Sequence, residues 1–154
     1  MLQLGLGNLA ESERLLKKAV ESNPRHPDAW LYYGRMFDQT NRPEEAKKAY
    51  HQALVVQPGS PEAEFNLAMD EQRTGQIEEA IKDYESLLTL HPNEGRVYHN
   101  LAVAYLAAGR FSQAQSAAEK SAQFGSPLPP QFLQQVTQGM AAGQTGAVAP
   151  NMPK

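Results

Sequence analysis

The 154-residue sequence contains no cysteine, which removes disulfides, thiolate nucleophiles and cysteine-bound metals at once and leaves the redox compartment open. No window approaches 18 uninterrupted apolar residues, so no membrane insertion is expected. Net charge is small, -3, giving no field of one sign to gather nucleic acid or an anionic membrane. The four histidines, His26, His51, His91 and His99, form no HxxxH or HExxH pair, so no metal site is expected. There is no GxxxxGK[ST] loop, no GxSxG and no Ser/His/Asp arrangement that the chain's organisation would bring together. Gly5-Leu6-Gly7 is too short for a phosphate loop and reads as the end of a helix. The expectation is therefore a non-enzymatic chain with no cofactor. MLQLGLGNLAESE at the N-terminus has no basic start and no long apolar core, so it does not read as a secretory signal. A soluble, cytoplasmic place is favoured, although a leader removed beforehand would leave the same sequence.

What is present is a period. Shifted by 34 residues, the stretch Trp30–Pro58 falls on itself. Tyr33 lands on Leu67 and Leu101, Gly34 on Ala68 and Ala102, Asn41 on Gly75 and Gly109. Ala46 lands on Ala80 and Ala114, Tyr50 on Tyr84 and Ala118, and Pro58 on Pro92 or, backwards, on Pro24. Small, large and breaker residues each keep their own column, which is how a repeat array looks in sequence. Within a unit, Trp30, Tyr33, Gly34 and Phe37 recur at helical spacing. Asn41 suits a left-handed helix end, and Pro43-Glu44-Glu45 opens a second helix with fixed φ and favourable charge.

The units are 27–60, 61–94 and 95–128, preceded by half a unit over 1–26. In that half unit, Asn8 and Glu11 have capping-box spacing, predicting a helix from Leu9 to about Ser22 with Leu9, Leu15, Leu16, Ala19 and Val20 on its apolar face. Ser60 reads as an N-cap before Pro61. Residues 129–140 (PPQFLQQVTQGM) read as a capping helix with Phe132, Leu133 and Val136 on one side and glutamines on the other. A disordered tail is expected over 141–154, rich in Gly, Ala, Pro and Gln. The unit 61–94 is acidic: nine acids against two bases, a net of -7. In it Glu64 and Glu71 stand in columns that are aromatic in both neighbours, and a groove edge near Arg35, Arg73 or Arg96 is the expected place for them.

These columns resemble those of the tetratricopeptide repeat (TPR) family, whose 34-residue helix–turn–helix unit has the same order of large, small and proline positions. Trp30, Tyr33, Gly34, Phe37, Ala46, Tyr50, Ala53 and Pro58 match as they stand, and the likeness covers residues 1–128. Departures are Glu64, Glu71, Leu87, Ala118 and Ser121. The resemblance implies an all-α, right-handed superhelix of TPR units closed by a C-terminal capping helix. It also implies a concave groove, lined by the first helix of each unit, that holds a segment of a protein or peptide partner.

Carried over column by column, the groove-facing residues are Leu31, Tyr32 and Arg35, with Asp28, Asp38 and Gln39 beside them. Next come Phe65, Asn66, Met69 and Arg73, with Glu62 and Gln72. Last are Arg96, His99, Asn100 and Val103, with Leu106 and Ala107. Some family members grip a terminal carboxylate with a set of Lys, Asn and Arg. Asn66 and Arg96 fit that set, whereas Leu31, Arg35 and Asn100 stand where it has Lys, Asn and Arg, so it is incomplete. Asn66 and Asn100 fit the family's habit of pairing asparagines with a bound peptide backbone, since an amide both donates and accepts; Tyr32 breaks that ladder. Two other readings stay open: possible self-association through the incomplete first unit, and a regulatory fragment of a larger protein.

Overall fold

A computed structural model describes the backbone of residues 2–145 and the side chains of residues 8–142. Among the described residues the secondary structure is helical throughout, in eight α-helices: α1 (Leu2–Ser22), α2 (Pro27–Gln39), α3 (Pro43–Val56), α4 (Pro61–Arg73), α5 (Ile77–Leu90), α6 (Gly95–Ala107), α7 (Phe111–Gln123) and α8 (Pro130–Thr145). The chain divides into two compact units, residues 1–83 and 84–154, with the boundary inside α5.

Several helix starts and stops have a local cause. Proline occupies the first turn of α2, α3 and α4, where a missing N–H costs nothing. Ser60 sits at the N-cap of α4 with extended backbone, but its side chain makes no capping bond, so the proline supplies the start signal. Asn41, Gly75 and Gly109 follow α2, α4 and α6, all at positive φ and each one period from the next. They close the same pair of backbone bonds. Arg42 N–H reaches Phe37 O (2.9 Å) and Asn41 N–H reaches Asp38 O (2.9 Å); Gln76 and Gly75, then Arg110 and Gly109, repeat the pattern. This is the Schellman ending, and it reverses the chain within two residues. Gly125 ends α7 in the same way.

In the first unit α1 packs on α2, α2 on α3 and α3 on α4. Its core joins Leu31, Met36, Phe37, Ala46, Ala49, Tyr50, Ala53, Ala63 and Leu67, with Leu16, Trp30, Tyr33 and Leu54 against it. In the second unit α6 packs on α7 and α7 on α8. Phe132 and Val136 are buried there, and the Phe111 ring lies over Gly139.

Several expectations change. α1 is one continuous helix through Gly5 and Gly7 rather than a new start at Leu9. Glycine permits a left-handed turn without forcing one. The Asn8/Glu11 capping box does not form: Asn8 O accepts from Ser12 Oγ (2.7 Å), and Glu11 pairs with Arg14 (2.6 Å). Leu15 is exposed, as is Ala19, while Val20 is buried. At the other end, residues 141–145 are helical instead of belonging to the tail, because Ala141 and Ala142 prolong a helix already anchored by Phe132 and Val136. Leu133 faces water. The rest of the expected tail, 146–154, lies outside the described residues.

Candidate peptide-binding face

The first unit sets α2 and α4 side by side through two ion pairs. Arg35 Nη1 of α2 is 3.0 Å from Glu62 Oε1 of α4, and Arg73 Nη2 of α4 is 2.6 Å from Asp38 Oδ1 of α2. Of the large apolar groups that the fold leaves in water, these two helices carry Tyr32, 54% exposed, and Met69, 44% exposed. The Arg35 guanidinium lies 6.0 Å from the Tyr32 ring centroid, within reach of a cation–π contact. Phe65 and Asn66 are half-buried on α4. No protein hydrogen bond occupies the Asn66 amide among the described residues, so both its donor and its acceptor are available.

Leu31 does not belong to this face. At 8% exposure it is part of the core cluster, which corrects its expected place in the groove: the column is open in principle, but here the neighbouring helix covers a side chain that gains by leaving water. In the second unit, α6 carries Arg96, exposed, and His99, Asn100 and Val103, all half-buried. His99 Nδ1 lies 3.2 Å from Ser126 O, and Asn100 Nδ2 donates to Arg96 O at 3.2 Å. His99 is therefore tied to the turn after α7, and the Asn100 amide is partly spent inside its own helix.

Behind the α2–α4 bridge lies a polar network. Tyr50 of α3 donates its phenol hydrogen to Asp38 Oδ2 (2.5 Å), and Arg73 Nη2 donates both to Asp38 Oδ1 and to Asp70 Oδ1 (2.5 Å). Tyr50 is 0% exposed, and burial first, then the Asp38 carboxylate, pushes its phenol well above the ordinary range. Asp70, 2% exposed, is pushed up by burial and by Asp38, with Arg73 opposing. Asp70 was not singled out from sequence. The signal was there: its column holds Met36 and Ala104 in the other units.

Of the two glutamates in aromatic columns, Glu71 departs from the expected groove edge. Glu71 is buried, not at a groove edge, and its neighbours are Asp83 and Glu79 of α5 and Lys47 of α3 rather than an arginine. Burial, then Asp83 and Glu79, raise its carboxyl to about 7. Glu64 is half-buried. Around the same columns the other units have open clefts. One of about 360 Å³ is lined by Trp30, Tyr33, Phe37 and Ala49, among others. Its counterpart, about 160 Å³, has Tyr98, Leu101, Tyr105 and Ala117 in the same columns. Tyr105 donates its hydroxyl to Glu85, and burial together with that carboxylate lifts it to about 12.

Among the described residues no group of three or more His, Asp or Glu side chains could hold a metal ion, and no helix is long and apolar enough to cross a membrane. Residues 1–62 and 60–124 each match a family model described as Tetratricopeptide repeat. A TPR repeat-containing protein of Dictyostelium discoideum is 40% identical over 47 residues, which are 30% of this chain and 18% of that protein. The chain thus spans under a fifth of the curated relative's length. Among solved structures, residues 41 to the end of MamA from Desulfovibrio magneticus RS-1 superpose with a TM-score of 0.75 at 17% identity, covering 94% of this chain and 91% of that one. The Sgt2 TPR domain from Aspergillus fumigatus gives 0.69 at 21% identity over 83% and 87%. At these identities the likeness is one of fold.

Proposed function

The chain belongs to the tetratricopeptide repeat family, and on that premise we propose that it is a non-enzymatic protein-interaction scaffold whose α2–α4 face binds a segment of a partner protein. The observation that carries this reading is the exposure of Tyr32 and Met69 on two helices bridged at the surface by Arg35–Glu62 and Asp38–Arg73. Exposed apolar groups favour binding, because a partner that covers them removes apolar surface from water. The Asn66 amide adds a donor and an acceptor that can pair with a peptide group whatever its side chain. Both arginines on this face already have carboxylate partners, so a capture of terminal carboxylates is not favoured. Arg96, His99, Asn100 and Val103 of α6 are assigned to the same role by period. The incomplete carboxylate-gripping set argues in the same direction.

The test uses the full chain as bait, wild type against Tyr32→Ala/Met69→Ala, with captured partners remeasured as purified proteins by calorimetry. Loss of at least tenfold in affinity at an unchanged melting temperature supports the assignment. Equal affinity removes it. Self-association is the second reading, favoured by Leu15 at 51% exposure on α1 and by the open aromatic cleft of α2 and α3. Sedimentation across a wide concentration range decides it, since a strict monomer throughout excludes it.

A further inference from the structure

Two residues that the proposed binding face does not use stand side by side in α4. Asp70 and Glu71 are 2% and 8% exposed, the only buried acidic or basic side chains among the described residues. Each leaves one buried carboxyl oxygen, Asp70 Oδ2 and Glu71 Oε2, without a hydrogen-bond partner. Both columns are uncharged in the other units: Met36 and Ala104 for Asp70, Phe37 and Tyr105 for Glu71. Where the flanking units have an aromatic ring beside an alanine, Phe37 with Ala49 and Tyr105 with Ala117, this unit has Glu71 and Asp83.

About 100° of helix rotation separates Asp70 from Glu71, so they address different neighbours. Asp70 meets Asp38 of α2 at a shared nitrogen of Arg73, and Tyr50 of α3 is bonded to the same Asp38. One guanidinium therefore serves two carboxyl groups. Glu71 is faced by Asp83 and Glu79 of α5 and by Lys47 of α3, and Asp83 in turn by Glu79, Lys82 and His51. Lys47 gives Glu71 little relief. Its ammonium is 3.0 Å from Glu44 and donates to Thr74 Oγ1 (3.1 Å) and Gln76 Oε1 (2.5 Å).

We propose that α4 is a proton-linked latch: protonated Asp70 and Glu71 hold it against α2, α3 and the start of α5, and their ionisation sets like charges together and loosens it. Two physical reasons require the proton. A bare carboxylate stripped of water is costly when an oxygen has no donor, and a second carboxylate beside it adds repulsion. A proton on one member turns each pair into a neutral acid beside a carboxylate. Both shifts point the same way, upward, with burial as the larger cause. The latch is independent of whether any segment binds the α2–α4 face.

The experiment is thermal unfolding of the full chain between about pH 5 and about pH 8, wild type against Asp70→Asn/Glu71→Gln, whose amides keep the shape and stay neutral. The wild-type melting temperature should fall by several degrees over that range, and the fall in the double variant should be less than half as large. Parallel profiles overturn the latch. Because the double variant can fail to fold, the carboxyl carbons of Asp70 and Glu71 are also followed by NMR in the wild-type chain. Midpoints of both at or above pH 6 support it; a midpoint of either below pH 6 overturns it.

Discussion

The ring of Tyr50 lies against the backbone of Gly34, so close that a Cβ at position 34 would stand 2.7 Å from both Cδ1 and Cζ. Tyr50 is fully buried and its hydroxyl is held by Asp38, so the ring has nowhere to retreat. Glycine at 34 is thus a packing requirement inside a helix, where it would otherwise be a weakness.

It follows that Gly34→Ala destabilises the protein although alanine is the better helix former. The propensity gain is about 1 kcal/mol, while overpacking a closed core costs about 1–3 kcal/mol. Denaturant titration should show a net loss, and Gly34→Ala/Tyr50→Leu should recover part of it. A stabilised single variant would show that the ring can move.

Leu31 and Tyr32 are neighbours in sequence with opposite roles. Leu31→Ala opens the core cluster and should cost about 2–5 kcal/mol. Tyr32→Ala removes a half-exposed ring and should leave stability within about 0.5 kcal/mol. Thermal unfolding of the two single variants measures the contrast, and similar losses would contradict the placement of Leu31 in the core.

Asn41 is the only non-glycine residue at positive φ among the described residues, at 56°. Gly75 and Gly109 serve its column in the other units. Asn41→Gly should be neutral or stabilising by up to about 1 kcal/mol, and Asn41→Ala destabilising by a similar amount, because alanine has no local hydrogen bond to offset the left-handed conformation. Melting temperatures in the order Gly, Asn, Ala are expected.

Glu71 gives stability a definite slope with pH. Its folded value of about 7 lies above its ordinary 4.5, so the native state holds the proton more tightly than the unfolded chain. That contribution is complete below about pH 4.5 and is lost as pH rises through about 7. Glu71→Gln should therefore gain on the wild type by about 1–2 kcal/mol between acid and alkaline conditions, a discounted share of the roughly 1.4 kcal/mol per pH unit that such a shift allows. Chemical denaturation at both ends of the range reads the difference, and no change would place Glu71 in water.

α8 is seated by a close approach of its own. Gly139 has no Cβ where the Phe111 ring of α7 passes, so Gly139→Val should push α8 off while α6 and α7 stay paired. Limited proteolysis should cut α8 in the variant well before the wild type. Equal resistance would mean that Phe132 and Val136 suffice to hold it.

The repeat frame was legible because it rests on local chemistry. Pro27, Pro43 and Pro61 stand in the first turns of α2, α3 and α4, and Asn41, Gly75 and Gly109 end α2, α4 and α6 with the same two backbone bonds. The candidate face was legible only in part. Tyr32 and Met69 lie in the open, but Leu31, from the same set of columns, does not. A column says which way a Cβ points and nothing about how far the next helix reaches over it. Asp70 went unnoticed for a related reason: an aspartate near the end of a helix reads as surface until the packing shows that it is buried.

By itself, then, the sequence determined the order of the helices and the turns between them within the repeats, since proline, glycine and the spacing of small and aromatic residues act within a few positions of the chain. The tertiary structure alone decided which charges lost their water. Whether Arg73 serves a partner or is shared by Asp38 and Asp70, and whether Glu71 faces an arginine or Asp83, depends on distances between residues far apart in sequence. Electrostatic energies are set by those distances and by burial, and neither is written in the period.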